Sequence, residues 1–285
     1  MNMETIRLRN NVEMPQLGFG VFQITDKAVC KESVLKALKT GYRMIDTAAC
    51  YGNERAVGAA VKESGLAREE VFLVSKVWIQ DAGYEKTKKS FEKTLENLGT
   101  EYLDLYLIHM PYGDYYGSWR AMEELYHEGK IRAIGVCNFL PDRLVDLVLN
   151  SEVCPMVNQV ELHPFCQQKE LRGVMEKYAI CPMAWAPFAE GKNRIFQNRN
   201  LEQIGKRYGK SAAQVILRWL RQEKVVAIPK SVHAERIEEN YAIDDFSLTK
   251  EEVESIRSMD TEHSLILEIQ SLDEVYRLKN ITFVQ

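Results

Sequence analysis

Cysteine is sparse in this 285-residue chain: Cys30, Cys50, Cys137, Cys154, Cys166 and Cys181 lie far apart, with no C-x-x-C and no neighbouring Cys/His pair. A structural zinc needs clustered ligands, and a disulfide framework belongs to small secreted scaffolds, so neither fits and no metal site is expected. Scattered reduced thiols point to a cytoplasmic protein. An excess of one charge is also lacking, with 37 Lys+Arg against 41 Asp+Glu and a formal net charge of −4. That balance gives no general affinity for nucleic acid or anionic lipid, both of which demand a basic surface. No window approaches the ~20 apolar residues of a membrane span. The stretch Met1–Arg7 lacks the apolar run of a signal peptide. Without a linker, a composition break or a low-complexity tract, residues 1–285 read as one domain.

What is present is a strict alternation of short apolar runs and longer amphipathic segments. The expected strands are Leu17–Gly20, Met44–Asp46, Val71–Lys76, Leu103–His109, Ile131–Val136, Met156–Glu161, Cys181–Trp185 and Val225–Ile228. Patterns of period near 3.6 between and after them predict helices over Lys27–Thr40, Asn53–Ser64, Tyr84–Leu98, Gly117–Glu128, Pro141–Asn150, Gln168–Lys177, Ser211–Gln222 and Ala234–Tyr241. Eight strand–helix units argue for parallel strands joined by right-handed crossovers, and eight is the number that closes a barrel. The fold class is therefore α/β, a (β/α)8 TIM barrel. Thr5–Met14 reads as an N-terminal β-hairpin turning at Asn10-Asn11. Two extra helices are expected, Leu201–Tyr208 and Thr249–Met259, the latter opened by a capping box from Thr249 to Glu252.

In such a barrel, functional residues sit at the C-terminal strand ends and in the loops after them. That filter selects Asp46, Lys76, His109, Cys137-Asn138, Gln159, Glu161, Trp185 and Lys230-Ser231, with Tyr51 in the loop after the second strand. Each has a plainer reading. Asp46 fits a turn former, Tyr51 packing, Lys76 a snorkelling amine, and His109 a satisfied core histidine. Their common location argues for chemistry instead. A free tyrosine, with a pKa of about 10, is a poor acid at neutral pH, and a nearby ammonium pulls that value down. A buried lysine in turn calls for a carboxylate. The series Asp46–Lys76–Tyr51 supplies both, and His109 would orient a substrate carbonyl toward the Tyr51 hydroxyl. No Ser, Thr or Cys nucleophile is coupled to a base by local sequence.

These residues lie within longer motifs: Gly41-Tyr42-Arg43-Met44-Ile45-Asp46-Thr47-Ala48, Tyr51-Gly52-Asn53-Glu54, Ser75-Lys76-Val77-Trp78, Leu103 through Pro111, Gly129 through Phe139, Asn158-Gln159-Val160-Glu161 and Ile228-Pro229-Lys230-Ser231. Seven such blocks in this order resemble the aldo-keto reductases over nearly the whole chain, in particular the short bacterial type, 2,5-diketo-gluconate reductase-like. The resemblance implies Asp46, Tyr51, Lys76 and His109 as the catalytic tetrad. It also implies NADPH as cofactor, with carbonyl reduction to the alcohol by hydride from the nicotinamide and a proton from Tyr51.

No G-x-G-x-x-G follows a strand, so a Rossmann site is not expected. By the resemblance, Gly20, Val21, Phe22 and Asp46 border the cofactor, Asn138 and Gln159 bond the nicotinamide carboxamide, and Trp185 stacks on its ring. Lys230, Ser231, Val232, Arg236, Glu239 and Asn240 fall in the adenosine-phosphate segment. Lys230 and Arg236 also suit a 2′-phosphate on physical grounds, whereas an NAD-selective site prefers an acid at the ribose. The plainer reading of that segment is an exposed helix face with ordinary ion pairs. Three departures from the family pattern stand out: Cys137 for Ser, Trp185 for Tyr, and Ala186 for Ser before an atypical Phe188-Ala189-Glu190 loop.

Phe22, Trp78, His109 and Tyr112 are the expected substrate contacts, with Tyr115, Tyr116 and Trp119 as further candidates, although Trp119 reads better as packing. Residues Ser264–Leu267 are expected to press into the mouth and Ser271–Lys279 to form a short closing helix. A small carbonyl compound is the expected partner and a monomer the expected state. Two other readings stay open: a non-catalytic, NADPH-binding redox-sensing relative, and an unrelated barrel enzyme using Lys76 as a Schiff-base amine.

Overall fold

The computed structural model describes residues 4–285. An antiparallel hairpin, β1 (Thr5–Arg7) and β2 (Glu13–Pro15), comes first. Its turn is held by Asn11, at φ 68°, which donates its backbone N–H to the Leu8 carbonyl at 2.8 Å.

Eight parallel strands follow: β3 (Phe19–Gly20), β4 (Met44–Asp46), β5 (Phe72–Val77), β6 (Leu105–Ile108), β7 (Ile134–Cys137), β8 (Val157–Glu161), β9 (Cys181–Trp185) and β10 (Val226–Ala227). Each pairs with its sequence neighbour. A parallel bridge between Leu17 and Ala227, with Gly20 N–H donating to the Pro229 carbonyl at 3.0 Å, joins the last strand to the first and closes the barrel. Gly135 is required in β7 because a Cβ there would stand 2.5 Å from the Val157 carbonyl oxygen of β8.

The crossover helices are α1 (Lys27–Thr40), α2 (Glu54–Glu63), α3 (Tyr84–Leu98), α4 (Tyr115–His127), α5 (Pro141–Leu149) and α6 (Lys169–Lys177). After β9 come α7 (Arg199–Tyr208) and α8 (Ala212–Gln222); after β10 come α9 (Ala234–Tyr241), α10 (Lys250–Arg257) and, in the tail, α11 (Leu272–Lys279). Local chemistry sets their ends. The Asp26 carboxylate accepts from the N–H groups of Ala28 and Val29, and Gly41 ends α1 at φ 128°. Asp114 caps α4 through the Gly117 N–H, so this helix begins at Tyr115 rather than at the expected Gly117. Thr249 and Glu252 form the expected reciprocal box. Among the described residues, no helix is long and apolar enough to cross a membrane.

Strands shrink relative to the sequence expectation where only one residue pairs. Leu103 and Ile131 make an isolated bridge ahead of β6 and β7 instead of extending them. The larger difference lies between β9 and α7. Residues Ala189–Gln197 form consecutive tight turns, with Ala189, Glu190, Asn193 and Arg194, and Ala186 just ahead of them, all at positive φ.

Candidate active site

The C-terminal ends of β4, β5 and β6 and the loop after β4 bring four side chains together. Asp46 ends β4, Lys76 lies near the end of β5, and His109 follows β6 directly. Tyr51 ends a single helical turn, Ala49–Tyr51, that Gly52 stops at φ 66°. Lys76 is fully buried. Its ammonium donates to Asp46 Oδ1 at 2.6 Å and to the Thr47 carbonyl at 2.9 Å, and it lies 5.1 Å from the centre of the Tyr51 ring. Tyr51 and His109 meet edge to face at 5.6 Å between ring centres, and Trp78 meets His109 likewise at 4.9 Å.

Electrostatics correct one expectation. Burial, reinforced by the negative charge of Asp46, holds the Tyr51 phenol well above its ordinary value rather than below it. Burial is the larger cause, and the nearby Lys76 ammonium, paired with Asp46 at 2.6 Å, does not reverse it. The free protein therefore keeps Tyr51 as a proton-bearing phenol. His109 is pushed well below its usual value by burial and by the Lys76 charge, so its imidazole is neutral. A Schiff-base role for Lys76 fits this arrangement poorly, since that chemistry needs a free neutral amine and this one is clamped twice.

Supporting bonds extend outward from these four. Gln159 Nε2 donates to Asp46 Oδ2 at 2.9 Å, occupying the carboxylate oxygen that Lys76 does not. Asn138, at φ 63°, donates to the His109 carbonyl at 3.1 Å and accepts from the Trp185 indole at 2.9 Å. Asn53 was absent from the expected set. It accepts from Thr47 Oγ1 at 2.7 Å and donates to the carbonyls of Val21 and Ile24, tying the loop after β3 to the loop after β4. Only its place in Tyr51-Gly52-Asn53-Glu54 signalled it.

The residues expected around a dinucleotide suit one chemically. Each primary amide of Asn138 and Gln159 keeps an oxygen lone pair after the bonds above, and its second N–H meets only a weak acceptor, the Met110 sulfur for Asn138 and the Met183 sulfur for Gln159, both at 3.3 Å. The Trp185 ring is half-buried, its plane fixed by its bond to Asn138. Gly20 and Val21 are buried in backbone contact with the neighbouring strands, while Phe22 is 50% exposed and packs 5.0 Å from the Tyr51 ring. Lys230, ahead of α9, and Arg236, in its first turn, are exposed, and neither makes an ion pair among the described residues. Ser231 and Asn240 are buried, Glu239 is half-buried and Val232 is exposed. Cys137 is fully buried with its thiol toward Gln159 Oε1 at 3.9 Å.

The tail roofs the pocket. Leu267, Leu278 and Phe283 pack with Trp78, Met110, Cys50 and Tyr112. The Trp78 indole donates to the Ile281 carbonyl at 3.0 Å, and Gln80 exchanges two bonds with the Phe283 backbone. Tyr112 donates to the Ile269 carbonyl, so its hydroxyl anchors the tail. Glu161 does the same work at the other end, accepting from Ser264 Oγ at 2.5 Å and the Leu265 N–H at 2.8 Å. Trp119 is core, its indole bonded to the Val153 carbonyl. Tyr115 and Tyr116 stack on each other, and Tyr115 packs against Phe139.

Comparison with known proteins places this geometry. The family model described as aldo/keto reductase family matches residues 16–261. The chain is 51% identical over 257 residues to a glyoxal reductase of Bacillus subtilis, covering 90% of this chain and 92% of the relative. It is 39% identical over 262 residues to the methylglyoxal reductase DkgA of Salmonella typhimurium, covering 91% and 94%. A crystal structure of a Bombyx mori aldo-keto reductase in complex with NADP superposes with a TM-score of 0.89 at 29% identity, covering 97% of each chain.

Proposed function

Since the chain belongs to the aldo/keto reductase family and is an NADP-dependent oxidoreductase, we propose that it reduces small aldehydes and ketones, α-oxoaldehydes foremost, with Tyr51 as the proton donor. The observation that carries this reading is the convergence of Tyr51 with the Asp46–Lys76 pair and His109 at one end of the barrel. NADPH, when bound, supplies the hydride.

The chain's own residues supply the rest. Asn138 and Gln159 would hold the carboxamide through their remaining oxygen lone pairs and through N–H groups now turned to methionine sulfurs, and Trp185 would offer its face to the ring. Ser231, Val232, Glu239 and Asn240 would line the adenosine end, where Lys230 and Arg236 give charge-assisted bonds to a 2′-phosphate. Gly20, Val21 and Phe22 would border the mouth. Asp46 serves through Lys76.

A neutral His109 donates one hydrogen bond to the carbonyl oxygen and fixes its angle. Tyr51 keeps its proton until negative charge builds on that oxygen. An alkoxide is more basic than a phenolate, which gives the transfer its direction. Lys76, 5.1 Å from the ring, then favours the phenolate left behind.

Small substrates follow from the surroundings. Phe22, Trp78 and the tail residues Leu267 and Phe283 form an apolar collar, and Lys76, the one nearby cation among the described residues, is already paired. A carboxylate would find no unpaired cation there among the described residues. The six free thiols fit a reducing, cytoplasmic setting.

The test is NADPH oxidation by the purified protein against glyoxal, methylglyoxal, glyceraldehyde, diketo-gluconate and aromatic aldehydes. The proposal expects the highest kcat/KM with the two α-oxoaldehydes. NADPH binding with no turnover of any carbonyl would instead establish a non-catalytic, redox-sensing relative.

A further inference from the structure

A neutral imidazole carries one N–H and one lone pair, and a carbonyl oxygen can only accept. His109 therefore contributes to carbonyl orientation in only one of its two tautomers, and something must select it. Its backbone is fixed, with the N–H donating to the Val77 carbonyl and its own carbonyl accepting from Asn138. Neither bond distinguishes the ring nitrogens. Among the described residues, the one polar side chain bonded to the ring is Cys50, whose Sγ lies 3.5 Å from Nδ1. Nε2 bonds to no other described residue.

Cys50 precedes Tyr51 in the same helical turn and is half-buried against the Trp78, Met110 and Leu278 cluster. Those neighbours are apolar and give the thiol no competing acceptor. Two arrangements satisfy the contact: S–H donating to the Nδ1 lone pair, or Nδ1–H donating to sulfur. A thiol sulfur is a weak acceptor, whereas an imidazole nitrogen is a good one, so the first is favoured. Burial pushes the Cys50 thiol up to about 12, which keeps it in the donating S–H form.

We propose that Cys50 is a positioning residue that donates its S–H to His109 Nδ1 and thereby places the ring hydrogen on Nε2, the nitrogen left to meet the substrate oxygen. This rests on the carbonyl-reductase reading above. It adds a residue that the catalytic tetrad does not contain, and a contact made by two residues 59 positions apart in the chain.

The experiment pairs imidazole 15N NMR of the histidine-labelled protein with steady-state kinetics of wild type, Cys50→Ser and Cys50→Ala. Wild type should give His109 as the Nε2–H tautomer. Cys50→Ser, whose hydroxyl still donates, should match it in both tautomer and kcat. Cys50→Ala should raise the Nδ1–H population and lower kcat about threefold to tenfold, the size of one modest hydrogen bond, with NADPH affinity unchanged. Unaltered His109 shifts in Cys50→Ala, or wild-type His109 as the Nδ1–H form, would overturn the proposal. Equal loss of activity in both variants would also overturn it, by assigning Cys50 a purely packing role. A wild type that turns over no carbonyl would count against the reductase reading, whereas the NMR result judges the Cys50 contact by itself.

Discussion

Lys76 and Asp46 form a buried ion pair at 2.6 Å inside the barrel mouth, with the lysine wholly shielded from solvent and the aspartate nearly so. Removing one member of such a pair strands the other charge in a poorly solvated place, which costs about 3–5 kcal/mol. Asp46→Ala should lose about that much stability in urea denaturation. Asp46→Leu combined with Lys76→Met should recover most of it while remaining catalytically dead. A loss below about 1 kcal/mol in Asp46→Ala would mean that Lys76 finds another partner.

His109 gives the stability a pH dependence whose sign follows from burial. Its folded value lies well below the ordinary 6.5. Between that depressed value and about pH 6.5, an unfolded His109 takes up a proton that the folded one refuses. The unfolded state binds more protons in this window, so this residue makes stability rise with pH there and contributes no slope above it. Urea midpoints measured between about pH 5 and about pH 7 should rise less steeply for His109→Gln than for wild type. Parallel curves for the two proteins would contradict a buried, neutral imidazole.

The exposed cations before and within α9 bear on cofactor choice. Lys230→Ala and Arg236→Ala should each raise KM for NADPH about tenfold to a hundredfold, the range of one or two charge-assisted bonds, and leave KM for NADH nearly unchanged. An equal rise for both dinucleotides would place the effect elsewhere than at a 2′-phosphate.

Much of this molecule was legible in the sequence because local chemistry and the global fold agree. Lys27–Thr40 and Tyr84–Leu98 match expectation at both ends, since Asp26 and Gly41 cap the first and Gly99 stops the second in a left-handed turn. The convergence of the four candidate residues was legible because each ends, or closely follows, a barrel strand. The direction of the Tyr51 shift was not, because it depends first on how deeply the folded barrel mouth buries the phenol and then on how near Asp46 lies. The Gln159–Asp46 bond joins residues 113 positions apart and has no local signal. Nor do the tight turns after β9, where five non-glycine residues from Ala186 to Arg194 adopt the left-handed region against their own propensity. The tail contacts were equally hidden: Gln80 clamps the Phe283 backbone across 203 positions of chain.

Proton donation by Tyr51 is most directly tested by Tyr51→Phe, which removes one oxygen and keeps the ring that packs on Phe22, His109 and Lys76. NADPH binding, followed by quenching of the protein's four tryptophans, should be preserved. Methylglyoxal turnover should fall by about a hundredfold or more, the usual worth of a positioned general acid. Wild-type kcat in that variant would show that the proton comes from elsewhere and would contradict the account at its centre.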